Sequence, residues 1–266
     1  MNAGNQAPNQ ASNQRGWLWA SLIGLAWLVS LVGLLALDLG AVYRFGSAAV
    51  PGLGVALLLG AVLTRSFLHT GLFIVAHDAM HGVLIPGSPS RNHRCGQLAL
   101  ALYAALPYAP CRAQHQLHHR APGSLEDPDF HPDPAAIAAW FGNFLGGYLS
   151  WSQMLQLLAG WAGLGLLSTL VTATGPLNVL LFCTLPLLLS ALQLFLFGTF
   201  LPHRAAAAPA NRHHARSLDL PIWLSFLACY HFGYHWEHHE FPALAWFELP
   251  GSRCRSPGDK VSGGLR

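Results

Sequence analysis

Three histidine clusters are the residues of this 266-residue chain whose types and spacing suggest chemistry: His77-Asp-Ala-Met-His81, His115-Gln-Leu-His118-His119 and His235-Trp-Glu-His238-His239. On a helix, positions i, i+3 and i+4 share one face, with Cβ atoms about 5–6 Å apart. Each cluster therefore presents its imidazoles together. Imidazole suits iron, zinc and copper, and a metal–nitrogen bond of about 2 Å lets two neighbouring rings share one ion. One i, i+4 pair is common on a solvated helix face, so His77 and His81 alone would say little. Three clusters with eight histidines point to metal, and that many ligands suit two ions better than one. Two irons held by histidine keep open positions for dioxygen. Zinc would bind the same side chains but supplies no electrons, and its structural sites close with four ligands.

Further residues qualify by position. His203 directly follows a charge-free apolar stretch and is expected to be a ninth ligand. His231 precedes His235 by four residues and is read as a hydrogen-bonding neighbour of a ligand rather than a ligand. Asp78, Asp127 and Glu237 are carboxylates that could orient an imidazole through its other ring nitrogen. The bland reading of each is an exposed or capping carboxylate, and Glu126-Asp-Pro-Asp129 is also simple turn chemistry. His69 is expected to be a buried structural histidine. His93, His131, His213 and His214 sit in polar loops and are not expected to be ligands.

The elements that must position these residues belong to a membrane protein. Hydrophobic residues make up 53% of the chain and charged residues 9%, against the quarter or so usual for soluble domains. A helix needs about 20 apolar residues to cross a bilayer. Four spans are predicted: Trp17–Leu37, Val50–Ala76, Tyr148–Val171 and Leu177–Phe200. Arg65 and His69 interrupt the second, four residues apart, on a face expected to point into the protein. From Pro134 to His203 there is no Asp, Glu, Lys or Arg, and Thr174-Gly175-Pro176 divides that run. Leu98–Pro110 and Pro221–Tyr230 are too short to cross and are expected to be interfacial, re-entrant or buried against the other helices. The fold class expected is thus all-α integral membrane, with about four transmembrane helices and shorter interfacial ones.

With a cytoplasmic N-terminus, twelve of the fourteen Lys and Arg fall on the cytoplasmic side, the exceptions being Arg44 and Arg65. All three histidine clusters and His203 fall on that side too. The basic residues form no dense stripe, so nucleic acid is not an expected partner. Residues 1–16 are expected to be disordered, residues 17–250 to form the membrane domain, and residues 251–266 to be a flexible tail. The five cysteines are scattered, without a Cys-x-x-Cys pair, and read as small apolar residues except Cys254 in the tail.

The histidine boxes separated by apolar spans resemble the membrane fatty-acid desaturase and hydroxylase superfamily. Within it, longer strings resemble the carotenoid ketolases: GLFIVAHDAMHG at residues 71–82, DPDF at 127–130, FGTFLPHR at 197–204 and CYHFGYHWEHH at 229–239. The resemblance runs from about residue 50 to 250. It implies β-carotene 4-ketolase activity, in which the C4 methylene of a β-ionone ring becomes a ketone by two successive hydroxylations and loss of water. It also implies two irons held by His77, His81, His115, His118, His119, His203, His235, His238 and His239, with dioxygen as co-substrate. A carotenoid drawn from the bilayer and an electron donor such as ferredoxin are the implied partners. The implied location is a bacterial inner or thylakoid-type membrane, with the metal site cytoplasmic. The boxes alone also fit a fatty-acid or sterol desaturase or hydroxylase. A different class, a histidine-rich metal transporter or haem protein, usually places its polar ligands within the spans near the midplane.

Overall fold

The computed structural model describes residues 10–204 and 211–253. Residues 1–9, the tail from residue 254, and Cys254 lie outside the described residues. Every regular element among the described residues is helical. Helix α1 (Gln10–Leu35) begins inside the segment expected to be disordered. It is followed by α2 (Leu39–Ala49), α3 (Leu53–His81), α4 (Pro89–Ala104), α5 (Tyr108–Arg120), α6 (Ile137–Tyr148) and α7 (Trp151–Ser168). Then come the long helix α8 (Gly175–His203), α9 (Ile222–Cys229), α10 (His235–Glu240) and α11 (Leu249–Ser252). The two short apolar stretches thus become α9 and parts of α4 and α5, and α4 packs extensively against α3.

Three helices are long and apolar enough to cross a membrane: Arg15–Leu35 within α1, Leu53–His81 and Gly175–His203. The fourth expected span, α7, has 18 residues and is not among them; Ser152, Gln153 and Gln156 make its first turns polar. Leu18, Leu25, Val29 and Val32 of α1, and Leu57, Leu59 and Leu63 of α3, are exposed, as lipid-facing side chains would be.

The contacts at either end fix the route of the chain. Asn178, at the start of α8, donates to the carbonyls of Leu34, Leu35 and Leu37 at 3.0, 3.2 and 2.8 Å. The Ser168 hydroxyl donates to Leu35 O as well. The end of α1, the end of α7 and the start of α8 therefore meet at one end of the bundle. At the other end Trp19 stacks edge-on against Trp246, 5.5 Å between centroids, and Tyr148 reaches Asp129. Helices α3 and α8 each carry their histidines to that second end.

Both are 29 residues long, roughly 43 Å at 1.5 Å per residue. A hydrocarbon core of about 30 Å leaves their last turns beyond it. Gly82 stops α3 immediately after His81: at φ +76° its N–H closes on Ala79 O and Asp78 O, a backbone conformation that favours glycine. In α8 two prolines shape the path. Pro186 and Pro202 have no N–H to give the carbonyls four residues earlier, and each follows a widened π-helical stretch, Leu180–Thr184 and Phe195–Phe200. The carbonyl freed by Pro186, that of Phe182, accepts from Arg65 Nε of α3 at 3.1 Å.

Asn178 donates to three terminal carbonyls of α1, which Leu37 N, Ser168 Oγ and Thr174 Oγ1 each reach only one at a time. Asn178→Ala is expected to cost about 1–3 kcal/mol and lower the thermal unfolding midpoint in detergent by a few degrees. An unchanged midpoint would show that Asn178 adds nothing to what Leu37 N, Ser168 and Thr174 supply.

Candidate metal centre

Four helices bring nine histidines together. The end of α3 supplies His77 and His81, and α5 supplies His115, His118 and His119. The last residue of α8 is His203, and α10 supplies His235, His238 and His239. Their ligand nitrogens form two groups, each with all its atoms within 4.8 Å of one another. The first contains His77, His81, His115, His119 and His238; the second contains His118, His203, His235 and His239. Neighbouring histidines divide between the groups: His118 from His119, and His238 from His239. Successive helical residues point about 100° apart, so adjacent side chains diverge while those four apart converge.

The Nε2 atoms face one another. His81 and His115 approach to 2.7 Å, His119 and His238 to 2.9 Å, His118 and His239 to 3.1 Å. His235 Nε2 lies 2.8 Å from that of His203 and 3.0 Å from that of His239. Two ligands at right angles around an ion, each bonded at about 2.0–2.1 Å, stand roughly 2.9 Å apart. Hydrogen bonding between neutral rings does not account for the arrangement, because each Nε2 carries at most one proton and His235 has two such neighbours. The buried ring of His77 has no hydrogen-bond partner at either nitrogen. An unpartnered polar group in such a place costs free energy, and a cation among the nitrogens removes that cost.

Burial, reinforced by the neighbouring imidazoles, pushes His115, His235, His238 and His239 well below the ordinary histidine value, and His119 below it too. They are held neutral, the form that binds metal. His118 differs. Burial opposes its charging, yet the Asp127 hydrogen bond and the Asp129 charge hold its pKa above the ordinary value. Its Nδ1 lies 2.9 Å from Asp127 Oδ1, and Asp127 is fixed in turn by the backbone N–H groups of Gly123 and Asp129. The Asp-Pro turn therefore does both things considered for it: it shapes the loop and orients a ring. His203 is oriented by a backbone group, its Nδ1 lying 3.0 Å from His214 O.

The other candidates are placed less directly. Asp78 is buried 3.6 Å from His77 Nδ1, beyond hydrogen-bond range, and accepts from Trp246 N. Glu237 accepts from the Ser217 hydroxyl and lies 3.9 Å from Arg253 Nε. His231 belongs to neither group; it stacks on Tyr234, with 5.5 Å between centroids, and makes no ring contact or hydrogen bond with the nine. His93, His131, His213 and His214 are also outside both groups. His69 has both ring nitrogens paired, to Trp27 Nε1 and Tyr103 O, as a structural histidine would.

Two residues were not singled out from sequence. Asp129 is buried 4.0 Å from His118 Nδ1, and the Tyr148 hydroxyl donates to it at 3.0 Å. Burial raises the Asp129 pKa to about 6. A second carboxylate two residues from Asp127 was visible, but its partner Tyr148 comes from the far end of α6 and has no local sequence signal. Tyr148 also lines the approach to the site. A cavity of about 40 Å³ touches His77, His115, His118 and His235. Phe73, Phe144, Tyr148 and Leu194 also line a second, apolar cavity of about 210 Å³, bounded mainly by α4, α6, α7 and α8.

The description "Fatty acid desaturase" belongs to a family whose model matches residues 47–251. The chain is 40% identical over 228 residues to a beta-carotene ketolase of Paracoccus sp. (strain N81106 / MBIC 01143), covering 83% of this chain and 88% of that protein. To a beta-carotene ketolase of Paracoccus sp. (strain PC1) it is 39% identical over 238 residues, covering 86% and 88%. A zeaxanthin 4-ketolase of Chlamydomonas reinhardtii is 38% identical over 249 residues, which is 90% of this chain and 51% of that protein. No solved structure gives a significant match. With a matching family model across most of its length and relatives near 40% identity, this chain belongs to the fatty acid desaturase family.

Proposed function

We propose that the chain is a membrane β-carotene 4-ketolase with two irons, one in each histidine group. The observation that carries this reading is the pairing of two convergent imidazole groups with an apolar cavity that shares four lining residues with the space beside them. The ketolase relatives supply the substrate class. A bound pair of irons would activate dioxygen with external electrons. Each of two successive hydroxylations consumes one dioxygen, two electrons and two protons, and the resulting geminal diol loses water to give the ketone. The donor of those electrons is proposed to be a ferredoxin-like protein.

The chain's own part is to hold, orient and exclude. Five imidazoles surround one position and four the other. Asp127 fixes the ring of His118, and the carbonyl of His214 fixes that of His203. Phe73, Phe144 and Leu194 form a water-poor passage for a hydrocarbon, with Tyr148 at its junction with the centre. Gly198 lines the small cavity as well, and a Cβ added there would lie 3.4 Å from the Phe232 ring.

The topology supports a place in the membrane. Helix α7 joins the histidine end of the bundle to the opposite end, so it is proposed as the fourth crossing although it is shorter and more polar than the others. The histidine end is proposed to be cytoplasmic, because Arg91, Arg94, Arg112, Arg120, Arg212 and Arg216 lie in the segments on that side.

A bacterial host that makes β-carotene is expected to accumulate echinenone or canthaxanthin when this chain is produced in it. Unchanged β-carotene, with the iron-loaded protein and a reductant supply present, refutes the proposal.

His203 completes the smaller group, and without it three imidazoles remain there while the five-histidine group is untouched. His203→Ala is expected to abolish ketolase activity and lower bound iron from two toward one per chain. Two irons and near-normal turnover in that variant would remove His203 from the centre.

Leu194 lines both cavities. Leu194→Trp is expected to reduce ketone formation at least tenfold while iron content stays at two, as blocked access would do. Undiminished turnover would show that substrate reaches the centre another way.

A further inference from the structure

A cavity of about 530 Å³ opens where the start of α1, the loop after α3 and the first turns of α4 meet. Trp17, Ile85, Pro86 and Cys95 make much of its wall apolar, and Arg91 and Arg94 line it with them. The close approach of α1 to that loop depends on Gly16, where an added Cβ would run into the Leu84 carbonyl. The two arginines have no counter-charge. No Asp or Glu occurs before Asp38 or between Asp78 and Glu126, so the segments that wall the cavity carry no carboxylate. Among the described residues neither guanidinium has a hydrogen bond or an ion pair. Three residues apart, they share one face of α4 and repel each other. Arg91 also stands in the first turn of α4, the end of a helix where positive charge is disfavoured. An anion between the two side chains removes both costs.

The surroundings say what carries that anion. Trp17 is the third residue of the apolar stretch Arg15–Leu35, so the cavity lies at the level where α1 enters lipid, the depth at which tryptophan is common. Deeper along α4 the face that bears Arg94 continues through Leu98 and Leu102 at four-residue intervals, and both leucines are exposed. Helix α1 runs beside it, because Leu28, three turns past Trp17, borders one groove together with Leu102. The two helices thus form a seam roughly 16 Å long. It is cationic at its head and apolar along its length, the complement of a lipid with an anionic headgroup.

We infer that this seam binds one phospholipid of net negative charge, its phosphate between Arg91 and Arg94 and an acyl chain along Leu98 and Leu102. The site is separate from the metal centre, and the inference does not depend on the reaction proposed there. A guanidinium presents paired donors that match phosphate oxygens, and basic pockets between membrane helices take anionic headgroups in this way. Inorganic phosphate could meet the same two arginines but leaves the apolar length of the seam unused. The bound lipid ties α1 to α4. Helix α4 leads directly into α5, which carries His115, His118 and His119, so the lipid also steadies one wall of the histidine cluster. A ligand that binds only the folded chain raises its unfolding temperature.

The test counts retained lipid. The full chain is reconstituted in vesicles of equal parts phosphatidylglycerol and phosphatidylcholine, extracted in mild detergent, and weighed by native mass spectrometry. The wild type is expected to keep one phosphatidylglycerol per chain, in roughly tenfold or greater preference over phosphatidylcholine. Its unfolding midpoint should be higher with phosphatidylglycerol than with phosphatidylcholine. The double variant Arg91→Gln/Arg94→Gln should lose both the preference and the shift. Arg212→Gln, a charge removed outside the cavity, should keep both. Cys95→Trp fills the cavity while leaving the arginines in place, and should also lose the retained lipid. Equal retention of the two lipids by the wild type, or an undiminished preference in the double variant, overturns the inference. Displacement of phosphatidylglycerol by inorganic phosphate at matched ionic strength does so too, and assigns the arginines to a small anion. Should the double variant not fold, undiminished lipid in Cys95→Trp overturns it instead.

Discussion

Imidazole nitrogens aimed lone pair to lone pair repel one another unless protons or a cation lie between them. Here the Nε2 atoms approach to 2.7–3.1 Å, burial keeps the α5 and α10 rings other than His118 neutral, and His235 meets two such neighbours at once. The remaining architecture follows from holding that arrangement. Four separate helices must end or pass at one level of the bundle. Gly82 stops α3 one residue beyond His81, Pro202 precedes His203 at the end of α8, and the Asp127 turn and the His214 carbonyl set ring directions from outside.

Lipid adds a second constraint, because a backbone group freed within the bilayer core has no water to turn to. Pro186 frees the carbonyl of Phe182 and Arg65 occupies it; the end of α1 leaves carbonyls that Asn178 and Ser168 take up. These polar contacts link α1, α3 and α8 side to side, where apolar surface alone gives little reason for one helix register over another. The same contacts hold α3 and α8, which both line the cavities beside the histidines, in fixed relation.

Much of the centre was legible in the sequence, because i, i+3, i+4 spacing is a local property of helices. The nine converging histidines could be named, and so could Asp127. The division into groups was not legible. Treating each box as one face overlooks the angle between adjacent residues, which sends His118 and His119 to different groups and mixes ligands from several helices in each. Tyr148 escaped notice because its partner Asp129 is 19 residues away and nothing in the local pattern marks the contact. The spans were placed within a few residues for α1, α3 and α8. For α7 the apolar count overstated the case, since the charge-free run contains Ser152, Gln153 and Gln156 as well as leucines. Helix α1 starts at Gln10, earlier than composition suggested.

The two cavities beside the histidines follow one another along α8. On the proposed reading, a long substrate that enters through them with one ring at the histidines keeps its other ring far from the centre. Only the ring beside the histidines can then react. The second ring becomes reactive after the molecule has left, turned end for end in the membrane and entered again. Oxidation of the two rings is then distributive rather than processive, and the half-finished pigment is a free constituent of the lipid phase, open to any other membrane enzyme that modifies its remaining end.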